Sequence, residues 1–130
     1  MIRSQSKGVN YLTELNNGEA TVISDVPVAK GGQGGKFMPY DLVLSGYAAC
    51  LNITARMAMD ELGAAYDQVI THVEMDRSDD SKTVFLYDVQ IIGNLTPEQQ
   101  AAVDARIEAS PVRRLISKQL EFKRAPELRD

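Results

Sequence analysis

One cysteine, one histidine and no tryptophan occur in the 130 residues. A single thiol, Cys50, rules out an internal disulfide, and one Cys with one His (His72) cannot complete a four-ligand zinc site. No metal site is expected, and nothing in the composition calls for a cofactor. Basic residues are in deficit, 14 against 18 acids, for a net charge of −4. Neutralising a phosphate backbone needs the opposite balance, so nucleic acid is not the expected partner. The longest apolar run, Leu42 to Leu51, is too short to cross a bilayer and lies between Asp41 and Arg56. No secretory signal is evident in Met1-Ile-Arg-Ser-Gln-Ser-Lys, which has no apolar core. A cytoplasmic, reducing setting without a membrane partner fits these absences. The Asn-x-Thr matches at Asn52 and Asn94 then read as chance.

What is present describes an ordinary globular chain. Hydrophobic residues make up 44% and charged residues 25%, enough to bury one core, so a single domain over residues 1–130 is expected. Val9-Asn10-Tyr11-Leu12 and Glu19 to Ser24 read as short strands joined around Asn16-Asn17-Gly18, a strong hairpin signal. The glycine-rich run Lys30 to Lys36 cannot hold regular structure cheaply and reads as a mobile loop. It fails the P-loop pattern, since Lys30 stands where Gly is needed and Phe37 follows Lys36.

Pro39 opens a long helix to about Leu62, with Gly63 as its stop. Its first half is apolar or small on every face, which predicts burial on all sides, by sheet or by a helix at a dimer seam. Two longer strands follow, about Asp67 to Asp76 and Thr83 to Gly93, linked by the polar run Arg77 to Lys82. Val69, Val73 and Met75 share one face of the first; Phe85, Tyr87, Val89 and Ile91 share one face of the second. Thr96-Pro97-Glu98-Gln99 is a capping box opening a helix to about Ala109. Ser110-Pro111 restarts a second helix with Val112, Leu115, Ile116 and Leu120 as its inner stripe. Strands, helix, strands, helices is the order of an α+β fold with antiparallel sheet.

Cys50 is the candidate nucleophile with a distinctive setting. It sits about three turns inside the helix, where the helix dipole has faded. Its neighbours Gly46, Tyr47, Ile53 and Thr54 carry no charge, so a thiolate needs a cation from another element or another chain. The plain alternative is a buried small hydrophobe. Ser110 falls on the inward face of Val103 and Ile107, although a Ser before Pro is equally a normal N-cap. Seryl hydrolysis is not supported, for no Ser/His/Asp set accompanies it. His72 alternates with Ile70 and Glu74 and reads as a solvent-facing or interface residue. The stretch from Arg113 to Arg124 has a basic surplus, a solvated face that also offers an arginine to a thiolate or an acidic substrate.

Taken together, Pro39-Tyr40-Asp41-Leu42-Val43-Leu44-Ser45-Gly46-Tyr47-Ala48-Ala49-Cys50 resembles the cysteine helix of the OsmC/Ohr family, which includes osmotically inducible protein C and the organic hydroperoxide resistance proteins. A second match is Ser110-Pro111-Val112, at the family's Cys-Pro-Val helix start, and the order of elements between is similar too. The resemblance implies antiparallel sheets wrapped around a long central helix in an intertwined homodimer, with sites at the subunit interface. In active members the helix Cys attacks a peroxide O–O bond, a second Cys condenses with the sulfenic acid, and an outside thiol restores both. An Arg from the N-terminal region and a Glu just after the Pro hold the thiolate and the peroxide.

This chain departs from that set. Cys50 matches the attacking Cys, but Ser110 occupies the resolving position and cannot form a disulfide. Tyr40 stands at the Glu position, with Asp41 beside it, and no Arg lies between Leu12 and Phe37, only Lys30 and Lys36. The expected function is one-Cys, thiol-dependent reduction of organic hydroperoxides in the stress response. Cys50, Asp41 and Ser110 are the expected catalytic group, with Tyr40, Tyr47 and Lys36 binding substrate and an external thiol as reductant. The alternative is a non-catalytic family member that binds an apolar or acidic small molecule at the dimer interface.

Overall fold

In the computed structural model, which describes residues 1–129, the chain forms two sheets and three α-helices. Two compact units divide it, residues 1–46 with 73–86 and residues 47–72 with 87–129.

The first unit opens with β1 (Arg3–Ser6), β2 (Thr13–Asn16) and β3 (Thr21–Ser24), an antiparallel sheet in that order. The hairpin at Asn16-Asn17-Gly18 forms as read, with Gly18 at a φ of 102° that favours glycine. Asn16 and Asn17 accept from the amides that follow and hold the turn. The strand expected at Val9–Leu12 does not form; those residues make the turn between β1 and β2. The partner of β2 is instead the polar, exposed Arg3-Ser4-Gln5-Ser6, whose sequence shows no apolar alternation to reveal it. Ile2, Leu15, Val22 and Leu42 are among the residues lining a hollow of about 400 Å³.

Residues 26–36 follow, closed at their base where Asp25 N–H and Ser24 Oγ both donate to Phe37 O. The glycine-rich run is hydrogen-bonded into place, in contrast to the loose loop expected. Asp25, 3% exposed, accepts from Val26 N–H at 2.7 Å and Gln33 N–H at 3.0 Å. A Cβ at Gly32 would stand 2.1 Å from Val26 O and 2.6 Å from Asp25 Oδ1, so only glycine fits there.

Helix α1 (Pro39–Leu62) spans 24 residues. Asp41 Oδ2 accepts from Met38 N–H at 2.8 Å, satisfying one orphan donor of the first turn. At the far end Gly63, at a φ of 65°, sends its N–H to Asp60 O, and Ala64 N–H reaches Met59 O. That pair of bonds is the glycine stop the sequence signals. The chain by itself does not bury this helix on all sides. Tyr47, Leu51, Ala55, Ala58 and Met59 form the buried stripe, while Val43, Gly46, Ala49, Ile53 and Met57 stay exposed on another. By length and composition α1 could also cross a bilayer, yet it carries Arg56, Asp60 and Glu61 and packs five side chains into the core.

Strands β4 (Tyr66–Asp76) and β5 (Val84–Gly93) form the second sheet. Residues 77–83 join them, too few for the crossover of about a dozen residues that parallel pairing needs, so they run antiparallel. Val69 is buried and Val73, Met75, Phe85, Val89 and Ile91 half-buried, as their alternation predicts; Tyr87 remains exposed. In the second unit α1 is tied to β4 by Asn52 Nδ2 to Val69 O and Thr71 Oγ1 to Ala48 O.

Helix α2 (Pro97–Glu108) starts at the capping box, with Thr96 and Gln99 bonded reciprocally. It buries Val103 and Ile107 and sends Arg106 to both carboxylate oxygens of Glu61. Helix α3 (Pro111–Ile116) is shorter than expected. It ends at Ser117, so only Val112 and Ile116 face inward; Leu115 and Leu120 are 61% and 56% exposed. An inner stripe through Leu120 would need the helix to continue, and it does not.

Candidate functional site

The second unit gathers its chemistry around Cys50. The thiol is half-buried on α1 and stands 3.9 Å from Thr54 Oγ1, one turn on. The Val112 amide donates to Cys50 Sγ at 3.4 Å. Val112 is the second residue of α3, whose N–H a capping side chain at Ser110 would normally take. Ser110 is the N-cap residue of α3, as read, but its side chain makes no such bond. Its hydroxyl points inward with Val103 and Ile107; the residue is 0% exposed and its Oγ has no partner. The thiol has thus taken the place of the cap acceptor.

Tyr47, one turn before Cys50, is 3% exposed and meets Tyr87 of β5 edge to face at 6.0 Å between ring centroids. Burial pushes its phenol above the usual value, while the positive charge of Arg113 on α3 pulls it back down. Cys50 and Tyr87 also act on it electrostatically. The structure therefore brings Cys50, Tyr47 and Ser110 into one unit with Val112 and Arg113. Arg113 belongs to the basic stretch of the sequence; Val112 reads there as a core residue within the Ser110-Pro111-Val112 motif, and nothing local shows that its amide faces a thiol.

Three other candidates lie in the first unit. Asp41 caps the start of α1. Tyr40 is exposed, with the Arg77 guanidinium carbon 4.2 Å above its ring. Lys36 is exposed at the end of the glycine-rich run. Arg77 escaped the sequence reading because a turn after a strand carries no signal of what it will stack on. His72 is exposed on β4. Among the described residues no group of three or more His, Cys, Asp or Glu could hold a metal.

Solved structures share this arrangement of elements. An OsmC-like protein from Mycoplasma pneumoniae matches with a TM-score of 0.72 at 16% identity, covering 90% of this chain and 86% of its own. An organic hydroperoxide resistance protein OsmC from Legionella pneumophila matches at 0.61 with 22% identity, over 89% and 87%. The organic hydroperoxide resistance protein OhrB of Bacillus subtilis matches at 0.54 with 20% identity, over 88% and 87%. No functionally curated protein matches. The model of the family described as OsmC-like protein matches residues 32–124, from the glycine-rich run through α3. Match, fold and the Cys50 and Ser110-Pro111-Val112 motifs agree: the chain belongs to the OsmC/Ohr family.

Proposed function

We propose that this chain is a one-cysteine, thiol-dependent peroxidase acting on organic hydroperoxides in the stress response. The observation that carries the reading is the Val112 N–H directed at Cys50 Sγ, on a thiol that is half-buried and not sealed. A backbone donor on sulfur holds the side chain in one orientation and fixes its direction of attack. The Cys50 thiolate attacks the distal peroxide oxygen; the S–O bond forms as the O–O bond breaks, and the alkoxide leaves with a proton as the alcohol. The resulting sulfenic acid condenses with an external thiol, releasing water, and a second thiol displaces Cys50 from the mixed disulfide. Ser110 has no sulfur to join this cycle, so both reducing equivalents come from outside. The names of the Legionella and Bacillus proteins support hydroperoxides as the substrate class.

The reading includes a cytoplasmic homodimer acting as one domain over residues 1–130, with no nucleic acid, membrane, metal or cofactor partner. The exposed stripe Val43, Gly46, Ala49, Ile53 and Met57 is the apolar surface a second copy would cover. Asp41 remains in this reading as a catalytic residue, and Tyr40 and Lys36 as substrate-binding ones. Peroxide consumption with added dithiol, abolished in Cys50→Ser, is the expected result; a wild-type protein that consumes none refutes the enzyme.

The 400 Å³ hollow lined by Ile2, Leu15, Val22 and Leu42 favours a second reading, a non-catalytic protein that binds an apolar or acidic small molecule at the dimer interface. Ligand binding that survives Cys50→Ser, without peroxide consumption, would select it.

A further inference from the structure

Arg113 is half-buried on α3, next to the residue whose amide meets Cys50. Ion pairs among the described residues join Lys7 to Glu14, Arg106 to Glu61 and Lys123 to Glu121; none engages Arg113. A guanidinium held partly out of water with no carboxylate beside it keeps its donor fork free. The phenol of Tyr47, one turn before Cys50, is raised in pKa by burial and pulled back down by this cation. The groups that act on the Tyr47 phenol come from three elements: Arg113 of α3, Tyr87 of β5 and Cys50 of α1. No acid is among them. Nearby, the wholly buried Ser110 hydroxyl has no partner of its own. A reactive sulfur, an uncompensated cation and an unsatisfied hydroxyl suit a ligand that brings oxygen atoms and negative charge.

We infer that Arg113 is the anion-recognition residue of the Cys50 site, selecting hydroperoxides that carry a carboxylate over neutral ones. This deepens the peroxidase reading and rests on Cys50 being its reacting atom. Arg113 acts on the substrate's charged group, separately from the bond-making at sulfur.

The test compares two alkylating agents of nearly equal size on the native protein, iodoacetate (anionic) and iodoacetamide (neutral). In each, the Cys50 sulfur forms a bond to carbon and iodide leaves. Both consume the same thiolate, so the ratio of their rates is independent of how much thiol is ionised. With Arg113 in place the ratio should exceed that of a small free thiol by about three- to fivefold, the range expected of a partly exposed charge pair. Raising the salt should lower it. Arg113→Gln and Arg113→Met should bring it to the free-thiol value, Met preserving the packing of the stem if Gln does not. Arg113→Lys should keep most of it, and Arg114→Gln should change nothing.

A wild-type ratio equal to that of the free thiol, or one unmoved by the Arg113 variants, overturns the assignment, as does failure of either reagent to label Cys50. Hydroperoxide consumption is scored in parallel. A charge preference without consumption retains Arg113 and removes the peroxidase. Consumption without charge preference does the reverse.

Discussion

The Val112 amide reaches the sulfur of Cys50 across 3.4 Å, from a residue 62 positions away in the chain. The contact joins the start of α3 to the middle of α1, so the same thiol serves as a helix cap and as the candidate nucleophile. Cys50→Ala should therefore cost stability as well as chemistry, about 1 kcal/mol for a lost cap acceptor. Ser110→Ala should leave stability unchanged or raise it, because its buried oxygen has no partner to lose. Urea unfolding of the two variants checks both signs; a larger loss from Ser110→Ala would mean that its hydroxyl is bonded after all.

Restoring the family's second sulfur should restore its disulfide. Ser110→Cys, treated with one equivalent of hydroperoxide, should lose both thiols to alkylation and form an internal bridge with Cys50. Mass spectrometry of the unreduced protein reads it. Persistence of two free thiols after oxidation would show that the two positions do not meet.

The glycine-rich run depends on one buried carboxylate. Asp25→Ala strands the Val26 and Gln33 amides at about 1–3 kcal/mol each, unless water reaches them. Gly32→Ala drives a methyl into Val26 O and should be comparably harmful. Limited proteolysis within residues 26–36 should accelerate in both. In contrast, Gly46→Ala, with open space around its Cβ, should stabilise an isolated chain by about 0.5–1 kcal/mol.

Tyr47 tests packing. Truncation to Ala at a 3% exposed ring against Tyr87 should cost about 3–5 kcal/mol. Tyr47→Phe keeps the ring and should cost only about 1 kcal/mol. Thermal melts in which both variants fall equally would assign the effect to the hydroxyl.

Acid should weaken the fold modestly. Hydrogen bonds from Arg106 hold the Glu61 carboxyl below its usual range, and the Ser78 amide and Ser81 hydroxyl do the same for Asp76 and Asp79. A lowered carboxyl contributes stability above its unfolded pKa and loses it as pH falls through the folded value. Stability should thus hold from neutral pH down to about 4.5 and decline below it. Glu61→Gln should make that decline shallower, and salt should reduce the difference between the two proteins. Identical acid limbs in urea titrations would contradict the pairing with Arg106.

Some of this protein is written in short stretches of chain. The hairpin at Asn17-Gly18, the Gly63 stop, the Thr96 capping box and the strand faces around Val69 and Phe85 each depend on residues a few positions apart. Backbone sterics and nearest-neighbour bonds decide them, so they can be read without a fold. So can the motif at Cys50 and the absence of a second thiol. Other features come only from tertiary packing. Polar β1 is a strand because β2 offers an edge, and the glycine run is ordered because Asp25 is buried beneath it. Leu115 is exposed because α3 stops early, and Cys50 caps that helix because folding brings distant segments together. Their partners lie far off in sequence, and no local pattern encodes a contact whose energy arises only when the chain closes on itself.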